Sequence, residues 1–234
     1  MRKMLTGAAL LLLVAGQAQA DYQCNVNPQD DVVITPAQVQ VVGASGNLVI
    51  SPNGDIQRNG QSVTADSATR KMAVDYQNAL RRDLPWIDQG AQQRLEKARV
   101  AVDGVVVKQL GANSHVRQRL TTLDGQLKQQ MNRIIEHRSD GLAFHHQAIA
   151  QVRQDGEKLV QSALGGMMQD SLNEIGSNSS NPLQALMGNL GGLQQAVKTE
   201  LGKQEADLRN FGHDVCNRVT ALETQRKALV ARLP

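Results

Sequence analysis

Glu136, His137, His145 and His146 are the residues whose types could hold a divalent metal or pass a proton. A helical chelate needs two ligands at i and i+4, because that spacing stacks them on one face. His145 and His146 are neighbours, so on a helix they point about 100° apart, and His137 lies roughly 12 Å from His145. None of the five histidines (115, 137, 145, 146 and 213) has another at the chelating spacing. They read as a stripe-edge and surface set, and no metal or cofactor is expected. Gly43-Ala44-Ser45-Gly46 lacks the glycine two beyond the serine that a nucleophile elbow requires. Carboxylates at 136, 140, 155, 157, 170 and 174 are spaced as on solvated helix faces, and neither a phosphate loop nor a dinucleotide fingerprint is present. A non-catalytic protein is the expectation; a hydrolase with an unrecognised site is the alternative.

Residues 1–20 carry Arg2 and Lys3, an apolar run from Leu5 to Ala15, and Ala18-Gln19-Ala20. That is the pattern of a secretory signal peptide cut after Ala20, and it implies an exported chain with no membrane span. The chain's two cysteines, Cys24 and Cys216, then meet an oxidising compartment and are expected to pair. Such a bridge would hold the N-terminal segment against the C-terminal helix. Without Arg2 and Lys3 the net charge falls from +3 to about +1. The five aromatic residues are Tyr22, Tyr76, Trp86, Phe144 and Phe211. A nucleic-acid reader needs a basic groove and stacking platforms, so no nucleic-acid partner is expected.

The elements that would position these residues fall into two kinds. Asp31–Thr35, Gln38–Val42 and Asn47–Ser51 are Val- and Ile-rich runs between turn residues, with Ile56 and Val63 on one or two further strands. From Ser67 onward the apolar spacing is helical: Met72, Tyr76, Leu80 and Leu84 up to a boundary or kink at Pro85, then a run from Leu95 to Leu110. A third and longest helix is expected from Val116 to Met167, and a C-terminal stripe runs from Leu183 to Leu233, the two joined at Gly176–Pro182. The fold class is α+β, predominantly helical, with a small N-terminal β-meander packed on long antiparallel amphipathic helices. Its parts are residues 1–20, a β-rich segment at 21–66, and a helical region at 67–234 that includes a Met/Gly-rich helix-loop-helix at 165–195.

That last stretch is chemically unusual. Met167, Met168, Met187, Leu190 and Leu193 form an adaptable apolar set for a partner, most simply an envelope protein. The competing structural reading is that its glycines let two helices approach closely while Met fills gaps. Peripheral membrane association is the other alternative. Residues 159–193 contain no Lys, Arg or aromatic residue, which counts against an interfacial helix.

Five segments carry a family resemblance: Asn27–Val33, Leu84-Pro85-Trp86-Ile87-Asp88, Gln130–Glu136, Arg138–Leu142 and Gly191-Gly192-Leu193-Gln194. Through them nearly the whole mature chain resembles the YggN-type proteins, an uncharacterised family of exported proteins from Gram-negative bacteria. The resemblance implies a periplasmic location. It implies no activity and no catalytic residues.

Overall fold

The computed structural model describes Cys24, residues 26–177 and residues 182–234 of the chain. The segment expected to be a signal peptide lies outside the described residues. Five strands come first: β1 (Asp30–Ile34), β2 (Val39–Gly43), β3 (Gly46–Ile50), β4 (Ile56–Arg58) and β5 (Gln61–Val63). Helices α1 (Ser67–Leu110) and α2 (His115–Ile134) follow, then the hairpin β6 (Ile135–Arg138) and β7 (Gly141–Phe144). Helices α3 (Ala148–Ser177), α4 (Pro182–Gly202) and α5 (Glu205–Val230) complete the chain. The protein is α+β and mostly helical.

All seven strands join one antiparallel sheet in the order β5-β4-β3-β2-β1-β7-β6. Alternation sorts its two faces. Val32, Ile34, Val39, Val41, Leu48 and Ile50 point inward and are buried against Ala73, Tyr76, Leu80 and Leu84 of α1 and Leu222 and Leu229 of α5. Each such aliphatic side chain contributes about 1.5–3 kcal/mol on burial, which is what a meander with so few apolar residues lacks by itself. Asp31, Val33 and Glu136 point outward. A second, smaller core joins Leu95 of α1, Leu127 of α2 and Val160 of α3.

Three sequence expectations change here. The break at Pro85 is absent, because α1 runs 44 residues through it. Pro85 removes one backbone donor, but Leu84 and Asp88 on either side are buried and hold the axis in place. The helix begins cleanly, with the Asp66 carboxylate accepting the Thr69 N–H at 2.7 Å.

The long helix from Val116 to Met167 is in fact α2, the β6–β7 hairpin and α3. Ile135 and Phe144 pair across the hairpin on the inward face, and Glu136 and Ala143 pair on the opposite face, where Ala143 is fully buried. Four residues of two-fold alternation are too few to stand out against helical spacing on both sides. Gly141 is needed at the turn: its φ is +150°, and a Cβ there would collide with the Ile34 carbonyl of β1. The C-terminal stripe also divides, into α4 and α5, at a turn after Gly202.

Packing of α1 on α5 depends on a second glycine. Phe211 of α5 is buried, with its ring centroid 5.3 Å from that of Trp86. The Arg94 guanidinium lies 4.0 Å above Phe211, and Arg218 lies 4.0 Å above Trp86. Gly90 faces this stack, and a Cβ on it would overlap the Phe211 ring. Ala at a helix interior ordinarily gains about 1 kcal/mol over Gly. Gly90→Ala is instead expected to destabilise by about 1–3 kcal/mol, since the ring must leave its place. Urea unfolding followed by circular dichroism measures the sign.

Candidate functional site

The β6–β7 hairpin relocates the histidines. His145 and His146 lie in the connection from β7 to α3, not on a helix, and β7 pairs with β1, which carries Asp31. The His146 backbone N–H donates to Asp31 Oδ1 at 2.9 Å, and its ring Nδ1 is 2.6 Å from the same oxygen. His145 stands between two carboxylates, with Nδ1 3.6 Å from Asp31 and Nε2 3.2 Å from Glu136. The order of contacts is Glu136–His145–Asp31–His146. Because the two carboxylates sit at opposite nitrogens of one ring, they do not converge on a single point. Among the described residues no group of three or more His, Cys, Asp or Glu side chains is arranged to hold a metal ion.

Partial burial raises the Asp31 pKa, but the hydrogen bonds and charge of His146, aided by His145, outweigh it and hold the carboxyl below its ordinary value. A carboxyl lowered in the folded state contributes stability that is complete above its unfolded pKa and lost as pH falls through the folded one. Arg117 lowers Asp103 and Arg119 lowers Asp170 in the same sense. The thermal midpoint is therefore expected to fall between about pH 5 and about pH 3. Asp31→Asn should show a smaller fall across that interval, measured by circular dichroism melts.

His137 belongs to a different group. It lies on β6, side chain 55% exposed, with Nε2 2.8 Å from the buried Asp88 carboxylate of α1. Gln92 donates to both oxygens of Asp88 at 2.9 and 3.0 Å. Asp88 and Gln92, four residues apart on α1, thus seat one histidine of the hairpin.

Beside them is a recess of about 410 Å³ between α1, the turn after β1 and the β6–β7 turn. Ile34, Pro36 and Leu142 form its apolar wall, and Arg81, Ser139 and Asp140 supply polar groups. Sequence reading missed this place. Its one available signal was Arg81 seven residues before Asp88, which places both on one face of a helix that continues past Pro85.

The Met/Gly stretch is described in part. Met168 is 57% exposed and Leu164, one turn before it, is 46% exposed. Met167 and Leu193 are half-buried. Met187 and Leu190 lie on α4, and their side chains fall outside the described residues. Gly166 has a specific role: the Arg119 guanidinium of α2 occupies the space a Cβ would fill, on its way to Asp170, 2.8 Å away. The two cysteines are bonded, with Cα atoms of Cys24 and Cys216 5.6 Å apart. Among the described residues no helix is long and apolar enough to cross a membrane.

Comparison with known proteins adds a family and relatives. The family model described as "Protein of unknown function (DUF2884)" matches residues 24–234. A protein of Escherichia coli strain K12 called "Uncharacterized protein YggN" is 55% identical over 238 aligned positions, covering 100% of this chain and 99% of that protein. Proteins of the same description from Escherichia coli O6:H1 and O157:H7 match to the same extent. No solved structure matches the chain.

Proposed function

Because the chain belongs to the DUF2884 family of proteins of unknown function, we propose a role from its own residues: it is an exported, periplasmic, non-catalytic interaction protein that engages an apolar segment of another envelope protein. Residues 1–20 and the Cys24–Cys216 bridge support export, since disulfides persist in oxidising compartments. The observation that carries the interaction reading is the pair Leu164 and Met168, adjacent on α3 and both open to solvent. Unbranched Met repacks against varied apolar surfaces, which suits a partner of changing shape. The charged groups nearest the pair, Asp170 and Arg119 of α2, hold each other at 2.8 Å, and residues 159–193 themselves contain no Lys, Arg or aromatic residue. An interfacial helix needs free cations and aromatic anchors, so their lack favours a protein over a membrane as the occupant.

The test places a photoactivatable residue at 168 in cells with the export signal retained, followed by recovery and mass spectrometry. One dominant envelope protein supports a dedicated partner, and many unfolded envelope proteins support a chaperone-like role. Crosslinks no stronger than those from a photoprobe at exposed Lys71 would overturn the reading.

A further inference from the structure

Arg81 differs from the other arginines around it. Arg82, Arg94, Arg117, Arg119, Arg218 and Arg226 each contact a carboxylate. Among the described residues no carboxylate lies within ion-pair distance of Arg81. Its Nε donates to Gln77 Oε1 at 2.7 Å and its Nη1 to the Thr35 carbonyl at 2.6 Å, and its Nη2 is buried with no partner. A buried donor on a cation costs free energy when left unmet, so it calls for a physical reason. The nearest acid in the recess, Asp140, is turned away to Arg138, 3.1 Å from its Nε.

We propose that the recess binds a ligand presenting one carboxylate beside an apolar group, with the Arg81 fork taking the carboxylate. This site is separate from the α3 surface and does not depend on it. Gln77 holds the Nε edge of the guanidinium, and two parallel N–H groups match a carboxylate in a way one carbonyl does not. Nη2 is shut off from solvent, so the ligand displaces the Thr35 carbonyl and the turn at Thr35-Pro36 yields to admit it. The exchange replaces a neutral acceptor with a charged one and satisfies the orphan donor at the same time. Ile34, Pro36 and Leu142 then cover the apolar group, and about 410 Å³ suits a side chain with a short stretch of backbone. A free acid and the C-terminus of a peptide share this chemistry.

The experiment follows amide resonances of the disulfide-bonded protein during titration with three probes: N-acetyl-leucine, N-acetyl-leucinamide, and an acetylated tripeptide ending in leucine. The expected result is saturable shifts at residues 34–35 and 139–142 from the acid or the tripeptide, and at least a tenfold weaker response to the amide. A stronger response to the tripeptide assigns a peptide C-terminus, and an equal or stronger response to the free acid assigns a small acid. Arg81→Gln should weaken binding at least tenfold. Ser139→Trp fills the mouth of the recess without touching the bonds of Arg81, so it should abolish the shifts in a folded protein even if the arginine variant unfolds. Equal binding of acid and amide, shifts that survive Ser139→Trp, or no saturable shift from the acid or the tripeptide would overturn the proposal.

Discussion

Replacing Cys24 by serine is expected to lower the unfolding free energy by about 3–5 kcal/mol, a large share of what a domain of this size possesses. The bridge spans 192 residues, and closing so long a loop removes more entropy from the unfolded chain than closing a short one. The chain-entropy formula sets an upper bound of about 5 kcal/mol, and residual structure in the unfolded chain lowers it. There is also a local effect. Cys24 lies six residues before β1, and β1 is an interior strand hydrogen-bonded to both β2 and β7. Cutting the bridge frees the segment that delivers β1 to the sheet, so hydrogen exchange should quicken first at residues 26–31. Urea unfolding of Cys24→Ser, Cys216→Ser and the double variant measures the loss, and all three should agree because each removes the same bond. A loss below about 1 kcal/mol would mean that side-chain packing alone holds the N-terminal segment against α5.

A comparable loss, about 3–5 kcal/mol, is expected from Asp30→Ala. Asp30 opens β1 and is buried. Its Oδ1 accepts the Ser45 N–H at 2.8 Å, its Oδ2 accepts the Ser45 hydroxyl at 3.0 Å, and Arg226 Nη1 of α5 is 3.3 Å away. Arg226 also donates to Ser45 Oγ and holds Glu223 at 2.7 Å. The hydrogen bond from Arg226 keeps the Glu223 carboxyl below its ordinary range despite burial. Tyr76 of α1 adjoins the group: burial, with the charge of Asp30 adding to it, pushes its phenol well up.

One carboxylate thus ties β1, the β2–β3 turn and α5 together. Its removal leaves a largely buried guanidinium with one acid in place of two, and a buried amide with no acceptor. Asp30→Asn keeps an oxygen for the Ser45 N–H but puts an NH2 donor where Oδ2 accepted the Ser45 hydroxyl and faced Arg226, so about half the penalty is expected to remain. The control is Asp75→Ala. Asp75 pairs with Lys71 at 2.6 Å, but both side chains are more than half exposed, so the change should stay below about 0.5 kcal/mol. Urea midpoints of the three variants rank the effects. An Asp30→Ala loss no larger than that of Asp75→Ala would show that Arg226 and Ser45 find water when the carboxylate leaves.

The strands of the meander were legible from composition and turns. Val- and Ile-rich runs bounded by Pro36, by Gly43–Gly46 and by Asn53-Gly54 can do little else, and they appear within a residue or two of where they were expected. The helices were legible as periodic stripes, though not in their limits. Pro85 looked like an end because the local cost of proline shows in the sequence, whereas the compensating burial of Leu84 and Asp88 does not.

The sites were harder to read. His145 and His146 looked inert because helical spacing was assumed for them, and their partner Asp31 is 115 residues from His146. Arg81 meets Thr35 across 46 residues and Asp88 meets His137 across 49.

By itself the sequence determined the class of the fold, the pairing of its two cysteines and the helical frame, since these follow from local propensity and from simple counts. Only the tertiary structure decided that residues 135–144 leave the helix to become the sixth and seventh strands. A four-residue strand is stabilised by the sheet it joins, and no local pattern reports that the edge of β1 stands waiting for it. The histidine-carboxylate contacts, the Asp88–His137 pair and the recess at Arg81 all depend on where that hairpin docks. Each is a meeting of distant residues, set by packing and not by spacing along the chain.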